Sequence, residues 1–109
     1  MSVNVVTNNS ERCDYALEGL YDVYDPEVGL NVVDLGLIYQ IDFDESEKKL
    51  DCTMTLTTQF CPMGEAITGD TTRSLSGSFP DWQINVNLTF DPPWDYTKIS
   101  PEGNKFLGR

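Results

Sequence analysis

The run "VVDLGLIYQIDF" constrains the fold more than any other stretch of the chain. Val33, Leu35, Leu37, Tyr39, Ile41 and Phe43 alternate with Asp34, Gly36, Ile38, Gln40 and Asp42. Successive side chains of an extended strand point to opposite faces, so this period of two predicts a long strand with one mostly polar face. The polar run "DESEKK" follows and predicts a turn. Beyond it Leu50, Cys52, Met54 and Leu56 face one way, and Asp51, Thr53, Thr55 and Thr57 the other. The two runs together predict an antiparallel hairpin.

The flanks supply the rest of the architecture. Cys13, Ala16, Leu17, Leu20 and Tyr24 recur at helical spacing, predicting a helix over 11–24 capped by Asn9 or Ser10. Pro26 in "DPE" ends it, because proline disfavours helical geometry in the residue before it. Residues 62–77 predict a second helix, with Pro62 at its first position and Ile67, Thr71, Ser74 and Leu75 on one face. Gly64, Gly69 and several Thr and Ser residues oppose that helix. "QINVNLTF" predicts a third strand with Ile84, Val86, Leu88 and Phe90 inward. "DPPW" stops it, since neither proline has an N–H to donate. Ser100 or Pro101 opens a short final helix. The expected fold is α/β (α+β), in the order helix, strand, strand, helix, strand and a further helix. It has a small mixed three-stranded sheet with helices on one face, and a right-handed crossover joining parallel second and third strands. The first ten residues are polar and expected to be frayed.

The 109 residues fit one domain with a core large enough to fold without a disulfide or structural metal. The formal net charge of −11 argues against non-specific nucleic-acid binding and against an anionic membrane surface, both of which need a basic patch. It suits an acidic solvated surface, or steering toward a basic partner. No stretch is apolar for long enough to span a bilayer. The start of the sequence has no signal-peptide pattern, so a cytoplasmic location is expected and the sequons at Asn8 and Asn87 are read as chance matches. Three cysteines, no CxxC and no histidine leave neither a disulfide framework nor a zinc site, and a reduced compartment is the simplest reading. Without histidine there is no Ser/His/Asp arrangement. The glycines in "EVGL" and "DLGL" are isolated, and no phosphate-binding loop is present.

The chemistry concentrates at "TLTTQFCPMGEA". On the helix predicted from residue 62, Cys61 takes the N-cap. Unpaired N–H groups and the partial positive charge there stabilise a thiolate. Thr57 and Thr58 add hydroxyl donors, while Glu65 opposes the anion. The alternative for any free cysteine is a buried, inert thiol. That reading fits Cys13 and Cys52, which fall on apolar faces. Asp25 and Glu27 read either as a carboxylate pair or as an ordinary turn, and Asp34 either as a ligand or as the solvated side of a strand entry. "DPPW" reads either as a docking patch or as a rigid exit covered by Trp94.

Together, "YDPEVGLNVVDLGLIYQI", "MTLTTQFCPM", "LTFDPPW" and "ISPEGNKFLG" resemble the SufT-like iron–sulfur (metal–sulfur) cluster assembly family, in order and spacing, across about residues 17–107. The resemblance implies an α/β fold and a role in maturing or repairing iron–sulfur proteins. It implies a pocket in which Asp25, Glu27, Thr57, Thr58 and Cys61 converge, with Asp34, Pro92, Pro93 and Trp94 in support. Phe60 departs from the small residue many relatives carry before the cysteine, and the helix from 62 is poorer in aliphatic residues. The cysteine-rich extension of PaaD-type proteins is missing, which argues against the ring-hydroxylation branch. One thiolate cannot satisfy an iron–sulfur cluster, which usually takes four ligands. A labile cluster would therefore be shared across a homodimer and completed by small thiols, or the protein would act as an adaptor between assembly proteins and recipient apoproteins. A thiol redox enzyme ranks last, since it lacks a resolving cysteine and a histidine base.

Overall fold

The structure is a computed structural model and describes residues 5–26, 28–57 and 64–108. Its elements are β1 (Val6–Thr7), α1 (Ser10–Leu20), β2 (Tyr24–Asp25), β3 (Leu30–Asn31), β4 (Ile38–Asp44), β5 (Lys49–Met54), α2 (Gly64–Ser78), β6 (Gln83–Leu88), a 3-10 turn (Tyr96–Lys98) and α3 (Pro101–Phe106). A mixed sheet runs β1-β4-β5-β6, with β4–β5 antiparallel and both β1–β4 and β5–β6 parallel. The α/β class and the hairpin stand as expected.

The sheet has four strands rather than three, because the start of the described chain is not frayed. Val6 and Thr7 pair with Gln40 and Ile41. Asn8 then uses both ends of its amide on β4, donating to the Phe43 carbonyl and accepting from the Phe43 N–H, each at 2.9 Å. A side-chain amide that copies a backbone partner in this way fastens a segment that has little apolar surface. Asn9 caps α1 by accepting from the Arg12 N–H.

The rungs of the sheet sort cleanly by face. Ile41, Cys52 and Val86 form one rung and Phe43, Leu50 and Ile84 the next. This side packs into the core with Cys13, Ala16, Leu17 and Leu20 of α1 and Ile67 and Leu75 of α2. Rungs on the other face are polar, with Asp42 beside Asp51 and Asn85, and Thr53 beside Asn87. Hydroxyl bonds inside α2 explain how a helix rich in threonine forms. Thr68, Thr71 and Thr72 donate to the carbonyls of Gly64, Ile67 and Thr68 respectively, so the fully buried Thr71 leaves no hydroxyl unsatisfied. Gly19 lets α1 approach α2, since an added Cβ there would lie 2.9 Å from the Ser74 hydroxyl.

Three expectations need correction. The first helix ends at Leu20, well before Pro26, and Tyr24–Asp25 instead pairs antiparallel with Leu30–Asn31. The strand expected from residue 33 begins at Ile38, and residues 33–36 form a turn. A register shift between Ile38 and Gln40 then moves Ile38 inward and leaves Tyr39 half-buried, breaking the apparent alternation. On β6 the inward residues Ile84 and Val86 are only half-buried, and Leu88 is exposed, because β6 is an edge strand.

The turn at 33–36 depends on Gly36. Its φ is +77°, and a Cβ there would lie 2.2 Å from the Lys98 carbonyl oxygen. Gly29 shares the positive φ, at +81°, but faces open space. Left-handed backbone costs an L-residue about 1–2 kcal/mol. Gly29→Ala is therefore expected to lower stability by about 1 kcal/mol in urea titration. Gly36→Ala should cost at least about 2 kcal/mol more, because backbone must also move. Equal losses in the two variants would show that the contact with Lys98 does not hold the turn.

Candidate functional site

A cavity of about 450 Å³ opens where the hairpin, the 25–36 turns and the C-terminal segment meet. Val28, Leu35, Thr57, Trp94, Tyr96, Ile99 and Leu107 line it. Two chain positions named from the sequence, Thr57 and Trp94, are therefore in its wall. β5 delivers Thr57: the Thr55 N–H donates to the Leu37 carbonyl at 2.8 Å, and Leu56 is buried. At the other side of the thiol segment, a Cβ on Gly64 would lie 2.8 Å from Leu56 Cδ1. The two described flanks of residues 58–63 thus touch. Thr58 and Cys61 themselves lie outside the described residues, as does Glu27.

Asp25 is fully buried on β2. Its carboxylate accepts from the Val28 N–H at 3.4 Å, and its carbonyl accepts from the Gly29 N–H at 2.7 Å. The carboxyl therefore closes the turn that places Val28 in the cavity wall. Pro92 and Pro93 are exposed, and the Pro92 carbonyl accepts from the Tyr39 hydroxyl at 2.9 Å. Trp94 turns inward and donates its indole N–H to the Leu35 carbonyl at 2.6 Å.

Asp34 stands behind the cavity. It accepts from the Ser100 hydroxyl through Oδ1 and from the Asn31 side-chain amide through Oδ2, both at 2.7 Å. Its N–H donates to Asn31 Oδ1 at 2.8 Å, and its carbonyl accepts from the Ser100 N–H at 2.8 Å. Ser100 also caps α3, accepting from the Gly103 N–H at 3.0 Å. Gly103 fits because a Cβ there would meet Ile99, Leu30 and the Asp34 carbonyl at 2.8–3.1 Å. Of the two sequence readings of Asp34, ligand or solvated strand entry, neither describes this bonding. Ser100, Leu35 and Ile99 were missed as parts of the site. "ISP" was legible as a helix start, but its bond to a residue 66 positions away left no local trace.

The thiols sort by burial. Burial pushes the Cys52 thiol up to about 12, with the neighbouring Cys13 adding to the effect. Burial also raises Cys13, against a hydrogen bond with Thr7 that lowers it, and Asp14 raises it further. Neither is a thiolate at neutral pH. Among the described residues no group of three or more His, Cys, Asp or Glu side chains converges to hold a metal ion.

The profile of the iron–sulfur cluster assembly protein family matches residues 15–88. The chain belongs to that family. It is similar to the Fe-S protein maturation auxiliary factor SufT of Staphylococcus aureus, with 37% identity over 87 residues covering 79% of this chain and 97% of that protein. It is likewise similar to the Fe-S protein maturation auxiliary factor YitW of Bacillus subtilis, with 35% identity over 89 residues, 82% of this chain and 86% of that one. A crystal structure of a DUF59 domain from Bacillus anthracis superposes with a TM-score of 0.82 at 33% identity, covering 92% of this chain and 98% of that chain. Residues 15–88 take in the turn at Asp25, the hairpin and the thiol segment, whereas Trp94 and Ser100 lie beyond them. For this member of the iron–sulfur cluster assembly family, the cavity joins the part that the family profile matches to the C-terminal segment beyond it.

The burial of two thiols has a direct consequence. Brief alkylation of the native protein at neutral pH should label Cys61 and spare Cys13 and Cys52, as read by peptide mass mapping. Labelling of Cys13 or Cys52 ahead of Cys61 would contradict the assignment. Because the Cys52 thiol is raised on folding, its stabilising contribution is fully present below pH about 9 and is lost as the pH rises toward about 12.

Proposed function

We propose that the protein is a maturation factor for iron–sulfur proteins, and that it works through Cys61 without catalysing a reaction of its own. The observation that carries this reading is the division of the thiols within a chain of this family. Two of the three cysteines are locked in the core, which leaves Cys61 as the one thiol for chemistry. Of the described residues that flank its segment, Thr57 is in the cavity wall and Gly64 lies against Leu56.

The cluster is cargo in this reading. A thiolate binds iron only when deprotonated, and a cluster usually takes four ligands. One Cys61 per chain therefore supplies part of a ligand set. The remainder comes from small thiols, a second chain or a partner protein. Few protein ligands favour release, as transfer requires. Thr57 and Thr58 would donate hydrogen bonds to thiolate or cluster sulfur. Asp25 holds the turn, and Glu27, two residues on, is the carboxylate of the pair left to meet iron transiently. Asp34 and Trp94 position the wall, and Pro92 and Pro93 shape the chain leading to it. The partners are iron–sulfur assembly proteins and recipient apoproteins in the cytoplasm. No helix among the described residues is long and apolar enough to cross a membrane.

The test is anaerobic reconstitution with iron and sulfide, paired with recovery of an iron–sulfur enzyme's activity in cells. Wild type should gain cluster absorbance. Cys61→Ser should lose both absorbance and enzyme recovery while keeping its circular dichroism. A wild type that never gains absorbance, with Cys61→Ser still losing recovery, would replace the carrier with an adaptor. Full recovery with Cys61→Ser would sink the role of the thiol.

A further inference from the structure

Among the described residues β6 pairs only with β5, so no strand pairs with its outer edge, and its sequence is built to meet itself. It lacks the devices that keep strand edges apart: no proline or lysine stands in it, and its register with β5 is unbroken. Leu88 on this edge is 46% exposed. Residues 82–90 carry no ionisable side chain, in a chain of net charge −11. Copies of such a chain repel one another over most of their surface and least along this strand.

The order of residues gives the match. Reading outward from Val86, the neighbours are Asn85 and Asn87, then Ile84 and Leu88, then Gln83 and Thr89. The strand is a chemical palindrome. An antiparallel copy centred on Val86 sets Asn85 opposite Asn87 and Ile84 opposite Leu88, each pair occurring twice about the axis. Backbone phase agrees with this register. The N–H groups of Gln83 and Thr89 donate inward, to the carbonyls of Lys48 and Met54. Alternation along the strand then aims the N–H and C=O groups of Ile84, Val86 and Leu88 at the free edge. Centring on Val86 pairs these outward residues with each other, so each pair exchanges both of its hydrogen bonds. A shift of one residue would pair outward groups with inward ones.

We propose that two copies of the chain associate through β6, antiparallel about a two-fold axis at Val86, into one continuous eight-stranded sheet. This contact is isologous and closes on itself. It covers Leu88 with Ile84 of the second copy. The two β5 strands run antiparallel in the joined sheet, so their Thr57 ends lie at opposite ends of the dimer. Each chain then keeps its own cavity, and this dimer does not bring the two Thr57 positions together around one cargo.

Sedimentation equilibrium over roughly 1 µM to 1 mM tests it. The wild-type mass should rise from the 12.3 kDa of one chain toward twice that value. Asn85 and Asn87 are exposed on the polar face, so substitutions there leave the core intact. The double variant Asn85→Lys, Asn87→Lys sets like charges opposite each other and should weaken association about tenfold or more. The double variant Asn85→Lys, Asn87→Asp sets opposite charges together and should still dimerise, with both variants keeping the wild-type thermal midpoint at the dilute end of the range, where every chain is monomeric. A wild type that stays monomeric throughout overturns the proposal and leaves the edge for an extended segment of another protein. Dimerisation unaffected by the two lysines, or lost equally in both variants, overturns this register.

Discussion

Asp34 fastens the C-terminal segment to the first half of the chain. Its two carboxylate oxygens and its own backbone bind Asn31 on one side and Ser100 on the other. Charge-assisted hydrogen bonds of this kind contribute roughly 1.5–3 kcal/mol each when removal leaves a group unsatisfied. Other contacts follow from that tie. Gly36 lies against Lys98, Trp94 reaches the Leu35 carbonyl, and Gly103 packs on Ile99 and Leu30. Without it α3 has only six residues and little to hold it. The wall formed by Trp94, Tyr96, Ile99 and Leu107 would then lose its support.

The same tie gives the site its character. One wall of the cavity is the C-terminal segment, another is the turn closed by Asp25, and the end of β5 brings Thr57 to it. The lining is largely apolar, and the polar groups of Asp25, Asp34 and Trp94 nearby are bonded within the protein. Among the described residues no metal cage forms around the cavity, and Thr57 in its wall directly precedes the stretch of sequence that carries Cys61. Burial does the sorting among cysteines. Cys13 and Cys52 fill the interface of α1 with the sheet, where a thiolate is costly.

Much of this was legible from patterns that repeat locally. Alternation marked β5 as far as Met54, where the strand ends and Thr55, expected on the polar face, is fully buried; Asn9, Ser100 and Pro101 marked helix starts through the chemistry of capping. The failures were places where a distant partner decides. Residues 33–36 looked like strand because Val33 and Leu35 fit period two, yet Gly36 and Asp34 shape them through contacts with residues 98–100. Tyr39 fit the inward phase until the bulge displaced it. Residues 5–8 looked frayed because Asn8 is polar, and nothing local shows that its amide completes a rung on Phe43. That Asp25 and Thr57 belong to one pocket was an expectation of the family resemblance, since periodicity placed Thr57 only on the polar side of the second strand and Asp25 only in a turn.

Amide hydrogen exchange on Asp34→Ala is the most direct measurement of the tie. The amides of Gly103, Asn104 and Leu107, which bond within the capped α3, should exchange about 10–100-fold faster than in wild type. Those of Asp42 and Asp51, which face each other in the central ladder of β4 and β5, should keep their protection. Unchanged exchange across 100–107 would contradict the account, as would a uniform rise through the whole sheet.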